Sequence, residues 1–233
     1  RIVPTGQPTL TPAAITYGQP LRTIALSGAL RDGDTVVEGT FVWNTPDAIL
    51  PAGSQTAEWT FTPSGSRYAT TSGTASVTVR EAALTDVSVR QDGVLTYTGT
   101  ALSARVITSA ATVDGSAVTF TYSPAKDGAY GDAVPTLTDV GTHTVWYRAE
   151  AANHETVTGS FTITIGKAAL TSVSVRQDGA LAYNGKAQTA RMAASANTVD
   201  GSAATFTYST EENGIYGPAV PAFSAVGTYT VWY

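Results

Sequence analysis

Val113-Asp114-Gly115-Ser116-Ala117 recurs as Val199-Asp200-Gly201-Ser202-Ala203, and the architecture follows from that recurrence. Working outward, Tyr130-Gly131 returns as Tyr216-Gly217, and Val145-Trp146-Tyr147 returns as Val231-Trp232-Tyr233. Upstream, Ala82-Ala83-Leu84-Thr85 returns as Ala168-Ala169-Leu170-Thr171. Every offset is 86, and no gap is needed from Ala82 to the end. Self-similarity at a fixed period marks a chain built from repeated structural units. The first part of the chain is a diverged relative. Tyr68 and Gly73 stand 86 residues before His154 and Gly159, and Val77-Thr78-Val79 likewise precedes Ile163-Thr164-Ile165. Further upstream the register slips, but Ile15-Thr16-Tyr17-Gly18 still echoes Leu95-Thr96-Tyr97-Thr98-Gly99, and Phe41-Val42-Trp43 echoes Phe120-Thr121-Tyr122. The expected modules are therefore 1–81, 82–167 and 168–233, the last a C-terminally incomplete copy of the second.

Within a repeat the apolar residues alternate. Val118, Phe120 and Tyr122 interleave with Thr119 and Thr121; Phe161, Ile163 and Ile165 interleave with Thr162 and Thr164. A period of two with one Thr face reads as half-buried strands. Asp92-Gly93, Asp114-Gly115 and Asp127-Gly128 punctuate them as turns. About seven short strands in a repeat of this length predict a Greek-key sandwich. Asp139-Val140-Gly141-Thr142-His143-Thr144-Val145 resembles the tyrosine corner of immunoglobulin domains; the sister repeat supplies Tyr229 for His143 and Ala225 for Asp139. The fold class expected is all-β: three tandem immunoglobulin-like Greek-key β-sandwiches, the third lacking its final strand. The linkers at Arg80–Thr85 and Gly166–Thr171 hold no Gly/Ser- or Pro-rich spacer, which predicts stiff joints.

Composition narrows the function classes. Net charge is −5, and the 13 Lys and Arg are scattered singly, so no basic stripe is offered to nucleic acid. Cysteine is absent, which excludes disulfides, Cys-ligated zinc and thiol chemistry. No apolar run approaches the roughly 18 residues of a membrane-spanning helix. No signal peptide is visible, and the chain opens at Arg1, which reads as a piece of something longer.

The search for chemistry yields little. His143 is replaced by Tyr229 in the sister copy and His154 stands where the first repeat has Tyr68, so both read as aromatic packing positions rather than catalytic or metal-binding groups. Each turn Asp stands alone beside a Gly, whereas calcium needs six to eight oxygen ligands. Three lysines exist: Lys126 becomes Glu212 in the copy, Lys167 lies in a linker, and Lys186 is the third, so no intramolecular isopeptide cross-link is expected. No catalytic, cofactor or metal residues are expected, and the chain is not read as an enzyme. Phe41, Trp43, Trp59 and Phe61 read as core. Trp146 and Trp232 fall on the Thr face by alternation and are the candidate interaction surface, for stacking on a sugar or a partner protein.

The first repeat, with Ile15-Thr16-Tyr17-Gly18-Gln19-Pro20-Leu21, Gly39-Thr40-Phe41-Val42-Trp43 and Trp59-Thr60-Phe61-Thr62-Pro63, resembles the MBG-type repeats of bacterial surface proteins. The second and third, with Leu95-Thr96-Tyr97-Thr98-Gly99 and Thr158–Ile165, resemble other bacterial Ig-like repeats. That resemblance implies a stalk or spacer in a large, wall-attached adhesin or multimodular enzyme of Gram-positive bacteria, and carries no catalytic residues.

The function expected is a non-catalytic stalk or spacer of a large bacterial cell-surface protein or adhesin, extracellular, at the cell wall or secreted. The alternatives are a module binding a glycan or a host protein, and an accessory region of a secreted carbohydrate-active enzyme. Nucleic-acid partners and membrane insertion by this segment are not expected. By the repeat register Tyr233 matches Tyr147, so the strand matching Ser160–Ile165 has no counterpart in the third copy. Gly227–Tyr233 is then expected to form an edge strand open to addition of a strand from another chain.

Overall fold

A computed structural model describes residues 1–233. It is built of strands; its one helical element is a three-residue 3-10 turn, Leu21–Thr23. The Thr-, Val- and aromatic-rich alternation explains this, because such residues fit a pleated, half-buried surface.

The first eight strands are β1 (Thr9–Thr11), β2 (Ala14–Thr16), β3 (Ala25–Ser27), β4 (Leu30–Asp32), β5 (Thr35–Val37), β6 (Gly39–Trp43), β7 (Gly53–Pro63) and β8 (Thr71–Arg80). A four-stranded sheet runs in the order β2-β8-β7-β6, with β1-β3 and β4-β5 as smaller pairs. Phe41, Trp43, Trp59, Phe61, Val77 and Val79 project from one face of the large sheet and are buried against Leu21, Ile24, Leu30 and Val37. Their outward neighbours Thr40, Val42, Glu58, Thr62 and Thr78 are exposed. The four aromatics expected in the core are there. Burying a side chain such as Phe61 contributes about 1.5–3 kcal/mol, and an aromatic pair such as Phe41 edge-on to Trp59, at 5.3 Å, adds to it.

The next six strands are β9 (Thr85–Asp92), β10 (Leu95–Thr96), β11 (Arg105–Ala111), β12 (Thr119–Ser123), β13 (Gly141–Glu150) and β14 (Val157–Gly166). Sheet order is β10-β14-β13-β12, with β9-β11 as a separate antiparallel pair. Val145, Ala149, Phe161, Ile163 and Ile165 are buried. The last four strands are β15 (Thr171–Gln177), β16 (Gln188–Thr189), β17 (Met192–Asn197) and β18 (Ala222–Phe223), paired β15-β17 and β16-β18.

The chain packs as two compact units. The first holds residues 1–92, 105–135 and 144–163; the second holds 93–104, 136–143 and 164–233. In the first unit β2 runs parallel to β8, with Ile15 opposite Val79 and Thr16 opposite Arg80. In the second, β10 runs parallel to β14 in the same way, Leu95 opposite Ile165 and Thr96 opposite Gly166. A short early strand lying parallel to the last strand therefore occurs twice.

The corner motif is also present. His143 Nε2 lies 2.8 Å from the Asp139 carbonyl oxygen, and Tyr229 Oη donates to the Ala225 carbonyl oxygen at 2.9 Å. In each case an aromatic ring reaches the main chain four residues back, which is how the tyrosine corner of an immunoglobulin sandwich is made. The acceptor is a backbone oxygen, so the exchange of Asp139 for Ala225 costs the motif nothing. The fold class is all-β, tandem and immunoglobulin-like.

One expectation fails. Gly227–Tyr233 is not a strand; it is held by a single antiparallel bridge between Ser209 and Trp232. In the second repeat the matching residues form β13 between β12 and β14; here the one pairing formed is Trp232 with Ser209, the counterpart of Trp146 with Ser123. Tyr229 is 42% and Tyr233 57% exposed. Their counterparts His143 and Tyr147 are half-buried.

Candidate functional site

The sequence-predicted surface residues make matching backbone pairings. Trp146 pairs across β13 to Ser123 of β12, and Trp232 bridges to Ser209. Trp146 is half-buried, and its ring faces the Lys126 ammonium at 5.8 Å. Trp232 is 37% exposed. Beside Trp146, Tyr130 Oη donates to the Lys126 carbonyl and its ring sits under Arg148 at 4.7 Å; in the copy, Tyr216 Oη donates to the Glu212 carbonyl. The contact is made to main chain, so Lys126 and Glu212 are interchangeable there.

The recurring polar constellation of the structure is elsewhere, and sequence reading did not find it. In the first unit Tyr17 Oη donates to Asp114 Oδ2 at 2.8 Å; in the second, Tyr97 Oη donates to Asp200 Oδ2 at 3.0 Å. Each tyrosine follows the short strand that lies parallel to the last strand of its repeat. Tyr17 N–H donates to the Arg80 carbonyl, and Tyr97 N–H to the Gly166 carbonyl, both at 2.9 Å. The tyrosine thus stands beside the point where its repeat runs into the linker, and reaches into the next repeat.

The receiving turn is built alike in both places. Asp114 Oδ1 accepts the Ser116 N–H at 3.0 Å, and Thr112 Oγ1 donates to the Ser116 carbonyl at 2.9 Å. Asp200 Oδ1 accepts the Ser202 N–H at 3.0 Å, and Thr198 Oγ1 donates to the Ser202 carbonyl at 2.7 Å. This is an Asx turn. Gly115 and Gly201 follow at φ +73° and +72°, a region that glycine enters without steric cost. One carboxylate oxygen shapes the turn and leaves the other free for the tyrosine. The bonds from the Ser116 and Ser202 turns, then those from the tyrosines, hold the Asp114 and Asp200 carboxyls far below the usual aspartate range. The same bonds raise Tyr17 and Tyr97, first through the hydrogen bond to the carboxylate and then through desolvation and its charge.

Close approach completes the clasp. A Cβ on Gly18 would lie 2.8 Å from the Val113 side chain, and one on Gly99 would lie 2.9 Å from Asp200 Cβ. The register-equivalent Tyr183 is 67% exposed.

The first joint has further contacts. Asn153 Oδ1 accepts the Ala52 N–H at 2.9 Å, Ala82 bridges to His154, and the His154 ring stands edge-on to Tyr17 at 5.5 Å. His154 is 4% exposed. Tyr68 makes the same parallel bridge to Ile2 that His154 makes to Ala82, so the sequence register between them holds in space.

An open cleft of about 570 Å³ in the second unit is lined by residues including Val175, Leu181, Met192, Phe223 and Val231. No group of three or more His, Cys, Asp or Glu is placed to hold a metal ion, and no helix is long and apolar enough to cross a membrane.

No family model and no curated protein matches the chain. Solved structures with a similar arrangement include the Drosophila N-cadherin EC1-4 fragment, at TM-score 0.34 and 9% identity, covering 97% of this chain and 68% of that one. A protocadherin GammaB4 extracellular domain gives 0.30 and 12%, covering 97% and 46%, and a protocadherin gammaB7 EC3-6 cis-dimer gives 0.34 and 12%, covering 88% and 59%. The chain therefore spans less than two thirds of the two protocadherin chains. At these TM-scores and identities neither activity nor partner is transferable from them.

Proposed function

We propose that this chain is a non-catalytic spacer: three successive Ig-like repeats, 1–81, 82–167 and 168–233, forming a stalk segment of a large extracellular bacterial surface protein or adhesin of the MBG-type group. The observation that carries this reading is the twice-formed clasp between a tyrosine of one repeat and the Asp-Gly turn of the next. A linker alone leaves a joint free to bend, whereas a hydrogen-bonded tyrosine and a close-packed glycine at one joint, with Ala82 and Leu84 buried at the first, restrict bending to the small motions a packed contact allows. Load-transmitting spacers need that property, and binding modules do not. The polar parts of the clasps are the parts repeated almost without change in sequence.

Residual dipolar couplings test the idea. Couplings from residues 1–81 and 82–167 are expected to fit one alignment tensor in the native chain. In a Tyr17→Phe, Asp114→Ala double variant the two sets are expected to require different tensors. Separate tensors already in the native chain would refute the spacer reading.

A further inference from the structure

We propose that His154 makes the first joint acid-labile, while the second joint, built on the same clasp, lacks this sensitivity. The inference rests on contacts within the first unit and is independent of whether the chain serves as a stalk.

His154 has both ring nitrogens engaged. Nδ1 lies 2.8 Å from the Ala152 carbonyl oxygen, so it carries the proton and donates. Nε2 receives the Val113 N–H at 3.3 Å, so it accepts. Only the neutral Nδ1–H tautomer satisfies both partners. The residue is 4% exposed, which leaves little room for the ring to turn away and find water. Val113 is the residue before Asp114, and its side chain is the one Gly18 packs against. The neutral ring therefore holds the turn that receives Tyr17 and Gly18, and its edge contact with Tyr17 holds the other side of the joint.

A second proton on Nε2 turns the acceptor into a donor facing another donor. A buried N–H that loses its acceptor carries a desolvation penalty, so the turn must move. The charged residues around the joint are these. Asp114 is the carboxylate on the turn itself; Glu155 follows His154 in the chain; Arg80 and Glu81 flank Ala82, which bridges to His154. If the imidazolium swings toward Asp114, it competes with Tyr17 for that carboxylate. Whether the turn moves or the ring swings, the Tyr17 hydroxyl loses its hydrogen bond.

No other group of the clasp titrates across that range, because Asp114 ionises far below it and Tyr17 above it. At the second joint Tyr97 and Asp200 form the same pair with no histidine bonded to the Val199 N–H; His143 is bonded to the Asp139 carbonyl, and the charge of Asp139 acts on Tyr97, so that joint is the internal control once His143→Tyr leaves Tyr97 fixed as well.

The test uses the full chain with ring-labelled tyrosine and histidine, followed by NMR from about pH 8 to about pH 5, the span in which histidines take up protons. Tyr17 is expected to move toward the signal of a free tyrosine with the same midpoint as the His154 ring, while Tyr97 stays fixed. His143→Tyr is expected to leave the Tyr17 titration intact. His154→Tyr, which installs the residue the first repeat has at Tyr68, is expected to abolish it. The proposal is overturned if Tyr17 stays flat while the His154 ring titrates, if the ring takes up no proton by about pH 5, or if the Tyr17 shift survives in His154→Tyr. The first two readings come from the native chain and do not depend on the variant folding.

Discussion

At the scale of single residues, the unusual ionisation of Asp114 and Asp200 follows from the division of labour between two oxygens. Oδ1 is tied to the turn and Oδ2 to a tyrosine of the preceding repeat. A carboxyl whose folded pKa is depressed stabilises the fold above its unfolded pKa, and that contribution is lost as pH falls through the folded pKa. The carboxylate's own contribution should therefore persist through the ordinary aspartate range at both clasps, and the second clasp, which has no histidine on its turn, should fail only in stronger acid. The tyrosines are shifted upward, so their contribution is full below the ordinary tyrosine pKa and is lost as pH rises through the raised one. At the second clasp the pair thus works over a wide window bounded by a carboxylate at one end and a phenol at the other. Carboxyl carbon NMR titration separates the contributions. Ser202→Ala, which removes the 2.7 Å hydrogen bond from Ser202 Oγ to Asp200 Oδ1 and with it the largest cause, should raise the Asp200 midpoint, and Tyr97→Phe should raise it by less, both moving toward ordinary aspartate values. An Asp200 midpoint unmoved by Tyr97→Phe would mean that the clasp hydrogen bond does not form in solution.

Strands pack by close approach as well as by alternation. Gly73 pairs with Trp59 across β7 and β8, and a Cβ there would sit 2.4 Å from the indole; Gly159 stands in the same relation to Tyr147, at 2.5 Å. The glycine is the floor on which a cross-strand ring lies. Gly73→Val should cost about 1–3 kcal/mol by overpacking the sheet, read as a lower midpoint in urea with an unchanged slope. A midpoint equal to that of the native chain would show that the ring moves aside freely. Such features indicate what the sequence could and could not disclose. Phe41, Trp43, Trp59 and Phe61 were legible as one buried face, because alternation reports directly which side of a strand is apolar. Gly227–Tyr233 carries the same alternation and yet is not a strand, because pattern reports a preference and not a pairing. The clasp was illegible for a different reason. Tyr17 and Asp114 lie 97 residues apart and Tyr97 and Asp200 103 apart, and polar surface residues show no periodicity that would link them. The available signal was the near-verbatim repetition of Thr-Val-Asp-Gly-Ser, which a turn alone does not demand.

Taken over the whole chain, the joints obey the repeat rather than the individual module. The tyrosine half of the clasp comes from residues 17 and 97, the turn half from residues 114 and 200, and the gap-free offset of 86 means that the second repeat carries both halves. It should therefore be insertable between itself and its neighbour. A chain in which residues 82–167 occur twice in succession has three joints. The new one places Tyr97 of the first copy against Asp114 of the second. If the clasp is a property of the repeat, that Asp114 will ionise as far below the ordinary range as the native one does, and Tyr97→Phe in the first copy alone will raise it. The inserted copy also brings a second His154 beside the turn it serves, so the new joint should acquire the acid sensitivity of the first joint, whereas the joint to residues 168–233 should stay insensitive. Carboxyl and tyrosine NMR on the extended chain reads all of this in one titration series. An inserted Asp114 that ionises like free aspartate, with both copies folded, would show that each clasp depends on something particular to its own joint. The regular offset would then record ancestry and not a transferable contact.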